Sequence, residues 1–292
     1  MSGATLHNTS PAAPRFDVPS GTAFSSSSRR EWVNRLQLQN LARYLSPLLM
    51  ILCWQTACST GLLSTRLVAS PLQILGTGWT LVQDGTLSTN MGVSLLRAVA
   101  GLSLALLVGT SLALISGLSQ LGENIVDAPL QIFRTLPVLA LVPLFILWFG
   151  IGETPKILLV ALGSMFPIYL NLHKGIRSID PKLLEMTRTL RLSRSQTIRD
   201  VILPGALPDL LVGIRFAVGI SWLMLVVAEQ VNADSGIGHM MMDAQDFLRT
   251  DIIFVGLAIY GLLGLISDQV VRILERKALV WRPQHLKTTA GA

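Results

Sequence analysis

The stretch EMTRTLRLSRSQTIRDVILP, residues 185–204, decides how the rest of the chain is read. It is polar and strongly basic, built of helix-forming residues, and set between long apolar runs. It therefore reads as a helical handle held outside a bilayer by the spans on either side. Its local chemistry predicts two short helices meeting at a turn. Asp180 followed by Pro181 is an N-cap with proline at the first helical position, where a missing N–H costs nothing. Leu183, Met186 and Leu190 recur at i, i+3 and i+7, an apolar stripe on a helix that otherwise carries Lys182, Glu185 and Arg188. Ser193 with Gln196 three residues later is a capping box that starts the second helix, and Pro204 is expected to close it. A solvated loop with a charge run would share this composition. The stripe points instead to a docking element for a soluble partner.

Outward from the handle, the composition fits a membrane. Charged residues make up 14% of the 292 positions and apolar residues 51%, where an ordinary globular chain carries about 25% charge. Apolar runs of roughly 20 residues are the length needed to cross a bilayer as helices. Six are expected, at residues 44–63, 91–118, 129–149, 156–173, 207–228 and 252–274. The fold class is all-α: a polytopic protein with a transmembrane domain over 43–284, a helical loop at 180–205, a disordered Ser- and Pro-rich tail over 1–42 and a short C-terminal tail over 285–292. The first run begins too late and is too long for a cleaved signal peptide. The segment PLQILGTGWTLVQ, 71–83, reads as a short helix at the membrane interface.

Six spans place the tail (Arg15, Arg29, Arg30, Arg35, Arg43), the handle (Lys174, Arg177, Lys182, Arg188, Arg191, Arg194, Arg199) and the C-terminus (Arg272, Arg276, Lys277, Arg282, Lys287) on one side. The opposite connectors hold Arg66, Lys156 and Arg249. By the positive-inside rule both termini and the handle are cytoplasmic. The net charge of +6 thus reports orientation and not a nucleic-acid partner. The connector 119–128 departs from the pattern by carrying Glu123 and Asp127.

Within the second span Gly101, Ala105, Gly109, Ala113 and Gly117 put a small residue at every fourth position, a stripe that lets another helix backbone approach closely. Pro137 and Pro143 in the third span and Pro167 in the fourth free backbone carbonyls, which membranes tolerate where protein or a water-filled cavity receives them. Arg97, Arg134, Arg215 and Glu229 lie near span ends, where a snorkelling side chain is the ordinary reading. Pathway or gating candidates are Glu229, Arg97, Arg134, Pro137 and Pro143. Cys53 and Cys58, five apart, lie on different helix faces, so a disulfide between them is not expected. His7, His173, His239 and His285 are scattered, with no HExxH motif and no paired Cys to complete a metal site, so neither an enzyme nor a metal centre is indicated. No GxxxxGK[ST] pattern occurs, so the chain does not cradle nucleotide phosphates itself. Energy must come from a partner or from an ion gradient, and an ion-coupled carrier is the alternative.

The handle resembles the EAA loop of the membrane subunits of bacterial ABC importers, which begins Glu-Ala-Ala, places Gly six residues after the Glu and ends in a hydrophobic-x-Leu-Pro. Glu185 and Ile202-Leu203-Pro204 keep the pattern, Met186 and Thr187 replace the alanines, and Arg191 stands where the family has Gly. With LVPLFILWFGIGE (141–153), LVALGSMFPIY (159–169), ILPGALPDLLVGIRFAVGISWL (202–223) and VVAEQVNADSGIG (226–238), the chain resembles the sulfonate, taurine and nitrate group of permeases, most nearly the aliphatic sulfonate permeases. The resemblance implies a type I importer half in the bacterial inner membrane, working as a homodimer with a cytoplasmic ATP-binding subunit and a periplasmic solute-binding protein. It implies that Glu185, Met186, Leu190, Arg191, Leu192 and Pro204 couple to the ATPase, which binds the ATP; the chain itself needs no cofactor. Taurine, nitrate or a thiamine precursor are the alternative substrates. At Arg191 the expectation is a reshaped turn with negative φ, since nothing obliges the family's turn to survive the loss of its glycine.

Overall fold

A computed structural model describes residues 45–64 and 67–280. The tail over 1–42 with His7 and Arg15, Arg29, Arg30 and Arg35, then Arg43, Arg66, Arg282, His285 and Lys287, and the C-terminal tail over 285–292 lie outside the described residues. By its internal contacts the chain divides between Cys53 and Trp54, within helix α1 (Leu45–Ser59). All packing below belongs to the part from Trp54 onward.

Among the described residues every regular element is helical. The segment 71–83 is helix α2 (Pro71–Gln83), with Pro71 in its first turn and the Ser70 hydroxyl accepting from the Gln73 N–H at 3.3 Å. Helix α3 (Thr86–Leu118) is long and apolar enough to cross a membrane, as are α6 (Glu153–Arg177), the helix Arg194–Val231, and α11 (Thr250–Ala278).

Two expected spans are not single long helices. The described first helix, α1, rises roughly 22 Å at 1.5 Å per residue, short of a hydrocarbon core about 30 Å thick. The third span is broken: α4 (Gln120–Thr135) and α5 (Val142–Phe149), joined by a 3₁₀ turn at Val138–Leu141, meet at 89°. Pro137 is the reason. A residue before proline is pushed out of the α region, and Leu136 is extended at φ −74°, ψ 132°, which ends α4. Pro143 then sits in the first turn of α5, where its missing N–H is harmless. The acidic connector 119–128 belongs to α4 and packs on α6: Glu123 pairs with Arg177, and the Tyr169 hydroxyl, 3.1 Å from Ser116 Oγ, donates to Asp127 at 3.0 Å.

Helix α6 is the axis of the fold. Two thirds of its apolar window (67%) is buried, against 22 to 44% for the other three spans. The small-residue stripe of α3 lies on it: Gly101, Gly109 and Gly117 face Val160, Ile168 and Ile176. The offset is the same in all three pairs, so α3 and α6 run parallel and in register. A Cβ on Gly101 would stand 2.6 Å from the Val160 Cβ, and one on Gly109 would stand 3.0 Å from the Met165 carbonyl oxygen. Ala105 and Ala113, 1% and 0% exposed, fill the steps between. The other face of α6 packs on α9 (Leu203–Asn232). There Gly163 admits Met224 and Gly175 admits Asp209, an order that makes this pair antiparallel.

Substitution at the stripe should separate contact from lipid-facing positions. Gly109→Leu is expected to lower the stability of the detergent-solubilised protein by about 1–3 kcal/mol or more. Gly92→Leu, on the same helix but with nothing within 4 Å of its would-be Cβ, should leave the thermal midpoint unchanged. Equal midpoints for both variants would remove α3 from the α6 interface.

Candidate functional site

The handle folds as two capped helices. In α7 (Pro181–Thr189), the Asp180 carboxylate accepts the Lys182 N–H at 2.9 Å. In α8 (Arg194–Thr197), the Ser193 N–H donates to the Gln196 side chain at 2.8 Å and Ser193 Oγ accepts from the Gln196 N–H at 3.3 Å, so both halves of the capping box are made. The stripe is turned outward. Leu183, Met186 and Leu190 are 45%, 55% and 62% exposed, Glu185 is exposed beside them, and Leu192 is half-buried. Thr187, one turn after Leu183 along the edge of the stripe, is buried.

The turn between these helices corrects one expectation. Arg191 has φ +53°. Its N–H donates to the Arg188 carbonyl and the Leu192 N–H to the Thr187 carbonyl, both at 3.0 Å. These are the two bonds of a Schellman ending with Arg191 in the left-handed position. The turn is held by backbone bonds and by the Ser193 cap immediately after it, so it keeps its shape without glycine. The side chain takes a strain on the order of 1 kcal/mol.

Pro204 is the second correction, since it closes no helix. A π-helical turn, Ile198–Ile202, follows α8, and the Leu203 N–H reaches back five residues to the Ile198 carbonyl. The wider turn accommodates a ring that would clash in a regular α-helix. The second handle helix therefore continues into α9 without a loop, over Arg194–Val231.

At the other end of α9 the structure brings together two of the pathway candidates. Glu229 is 0% exposed and Arg97 3%, and Arg97 Nη1 donates to Glu229 at 2.9 Å. Neither snorkels. The Glu229 carboxylate also accepts from Ser94 Oγ at 2.8 and 2.9 Å, from the Tyr260 hydroxyl at 2.9 Å and from the Gly238 N–H at 2.9 Å. A carboxylate so enclosed is tolerable only because charge and hydrogen bonds meet each lone pair. The loop that precedes α10 (Ile237–Asp246) closes over it: the Gly236 N–H donates to Asn90 at 2.7 Å and the Ile237 N–H to Ser94 Oγ at 2.9 Å. Gly236 has φ +114°, and a Cβ there would lie 2.5 Å from the carboxylate, which accounts for glycine at that place in VVAEQVNADSGIG.

Arg97 turns its second edge to Glu153, with Nε to Oε2 at 2.5 Å and Nη2 to Oε1 at 2.7 Å, and Nη1 also reaches the Ser235 carbonyl at 2.6 Å. Lys156 Nζ lies 3.1 Å from the same Glu153 Oε1. The other candidates are elsewhere. Arg134 is exposed in the last turn of α4, Pro137 and Pro143 flank the break before α5, and Arg215 pairs with Glu275 and Asp268 of α11. Glu153, Lys156, Ser94 and Tyr260 were not among the expected site residues. Lys156 counts as a connector charge in the sequence, and only the parallel register of α3 and α6 places it at the level of Arg97. Among the described residues no cluster of His, Cys, Asp or Glu is arranged to hold a metal ion.

Breaking the enclosed pair should be costly. Glu229→Ala leaves Arg97 without its buried partner and is expected to destabilise the protein by about 3–5 kcal/mol. Arg191→Gly should raise stability by about 1 kcal/mol as the left-handed strain disappears. Thermal unfolding in detergent reads both, and an Arg191→Gly variant less stable than the parent would refute strain at that turn.

Comparison with known proteins agrees with the geometry. Residues 101–280 match the family described as binding-protein-dependent transport system inner membrane component. The chain is 47% identical to SsuC of Escherichia coli (strain K12), named as an aliphatic sulfonates transport permease protein, over 86% of this chain and 95% of that one. It is 44% identical to SsuC of Bacillus subtilis (strain 168) over 82% and 86%, and 33% identical to the taurine transport system permease protein TauC of Escherichia coli over 87% and 94%. An amino acid ABC transporter solved with histidines superposes with a TM-score of 0.55 at 19% identity, over 68% of this chain and 96% of that one. The inward-facing MetNI methionine ABC transporter superposes at 0.51 with 18% identity, over 62% and 92%. These two show the fold. The ion-coupled alternative is left without support, and the chain belongs to the binding-protein-dependent transport system inner membrane component family, the multi-pass permeases of ABC importers.

Proposed function

We propose that this permease translocates aliphatic sulfonates across the bacterial inner membrane as a homodimer, with its handle seated on a cytoplasmic ATP-binding subunit that binds the ATP and its opposite face receiving a periplasmic solute-binding protein. The family brings ATP-binding and solute-binding partners in general. The observation that carries the coupling role is the handle's outward apolar stripe. Three large apolar side chains exposed together on one face of a capped helix form a patch of the kind that marks a protein contact, and Glu185 and Arg191 stand at its edges. The substrate class is supported by the likeness to the two SsuC proteins. Taurine and nitrate have weaker support, from TauC at 33% identity and the nitrate import permease NrtB of a Synechocystis strain at 29%.

In this reading the N- and C-termini and the handle face the cytoplasm. Closure of the ATPase pair displaces the two handles, and the permease exposes its pathway alternately to either side. Each handle leads directly into α9, so displacement at α8 reaches the enclosed Glu229 cluster along one helix.

Glu185→Lys and Met186→Asp are expected to abolish transport and release the ATPase on purification while the permease still inserts in the membrane. Normal transport by both variants with ATPase bound would reduce the handle to a solvated loop. Uptake by the reconstituted complete transporter tests the substrate: alkanesulfonates should be taken up in preference to taurine and nitrate, and the reverse order would overturn the assignment.

A further inference from the structure

The members of the buried cluster differ sharply in exposure. Arg97 and Lys156 are 3% exposed as side chains, yet Glu153, the carboxylate both face, is 56% exposed at the first residue of α6. Glu229 behaves differently: it is fully enclosed and holds Arg97 from behind through Nη1. Glu153 occupies the Nε and Nη2 edge of the guanidinium, the fork that receives oxyanions through two parallel hydrogen bonds, and its Oε1 is shared with Lys156. Of the four charged groups, Glu153 is the one with a path to water. Were it to leave, two buried cations would face a single enclosed carboxylate, a net positive charge in a place already built to hold an anion.

An apolar cavity lies along the same helices. It has a volume of about 400 Å³ and is lined by apolar side chains, among them Leu104 and Val108 of α3, Phe145 and Phe149 of α5, and Leu158 and Leu162 of α6. That volume is within the range of small-molecule sites. Phe149 and Leu158 flank Glu153 in the chain. Leu104 comes seven residues after Arg97, which places it about 10 Å further along α3 and within about 20° of Arg97 around the axis. None of the charged side chains lines the cavity, which opens further along α3 and α6 than Arg97 and Glu153 and on the side of α6 away from Lys156. A molecule with an anionic head and an alkyl tail would have to reach from the fork into it.

We infer that Glu153 is a resident counter-ion that yields its place to the sulfonate group of the substrate, with Arg97 and Lys156 binding the head group and the α3–α5–α6 cavity receiving the alkyl chain. This rests on the aliphatic sulfonate reading above. One anion replaces another of equal charge, so the buried cluster keeps its charge balance during the exchange. Glu229 is a positioning residue that holds the guanidinium in place throughout.

The test uses the permease–ATPase complex in lipid nanodiscs, without the solute-binding protein, and measures binding of pentane-1-sulfonate, methanesulfonate and, as a neutral control, pentan-1-ol by calorimetry. Glu153→Gln is expected to bind pentane-1-sulfonate about tenfold more tightly than the parent, Lys156→Met to bind both sulfonates more weakly, and pentan-1-ol to bind neither variant better than the parent. Leu104→Trp, which fills the cavity, should weaken pentane-1-sulfonate and leave methanesulfonate unchanged. No gain in Glu153→Gln, or an equal loss for both sulfonates in Leu104→Trp, overturns the site. Should Glu153→Gln fail to assemble, a structure of the parent complex in saturating pentane-1-sulfonate decides: Glu153 released from Arg97 supports the exchange, and Glu153 still bound to it refutes it. Uptake by the complete transporter separates the two levels. A parent that does not import pentane-1-sulfonate fails the sulfonate reading, whereas one that imports it while Glu153→Gln binds no tighter fails only the site.

Discussion

Contact of α6 with a helix on either side is the constraint from which the rest of the structure follows. Lipid is as apolar as the side chains it surrounds, so burial offers helices little reason to associate; close packing and polar contacts must supply it. The chain meets this by clearing side chains from both interfaces. On α3 the glycines stand opposite β-branched residues of α6, whose stiff side chains lose little freedom when fixed. On the other face, glycines of α6 admit Met224 and Asp209 of α9. With α3 and α9 fixed against one axis, residues distant in the chain are brought to the same level.

The enclosed charges make use of that alignment. Arg97 comes from α3, Glu153 and Lys156 from α6, Glu229 from α9 and Tyr260 from α11. Each of four long helices thus contributes to a single hydrogen-bonded group, α6 and α9 from their ends and α3 and α11 from about a third of the way along, and the loop before α10 is fastened to it through backbone N–H donors. Apolar contacts alone would allow the helices to slide by fractions of a turn. A buried carboxylate that must meet four donors in fixed directions allows much less.

What could be read from the sequence was what local chemistry determines. The Asp180 and Ser193 caps, the outward stripe of α7, the limits of α2 and the small-residue face of α3 each depend on residues within a turn or two of one another. The misreadings have a common cause. At Pro204 and at Pro137 the same residue type had opposite effects, one absorbed by a π-turn with Leu203 still helical and the other breaking a span at 89° behind an extended Leu136; a proline in the sequence does not say which backbone its neighbour will take. Arg191 kept a glycine's backbone conformation because bonds to Thr187 and Arg188, and the helix that follows, specify the turn more strongly than the side chain opposes it. The Arg97–Glu229 pair spans more than a hundred positions and requires the helix register to be known first. No local pattern encodes it.

The merging of α8 into α9 has a mechanical meaning. A loop between handle and span would act as a slack joint, absorbing small displacements through changes of its backbone torsions. A helix over Arg194–Val231 has far less slack, its ladder interrupted only by the π-turn at Ile198–Ile202 and by Pro204 and Pro208. At 1.5 Å per residue it is a rod of roughly 57 Å, with the capping box near one tip and Glu229 near the other. A thrust of an ångström at the capped tip must emerge as axial shift or tilt along the rod. The fit between two surfaces on opposite sides of the bilayer is thus set by the rise of one helix.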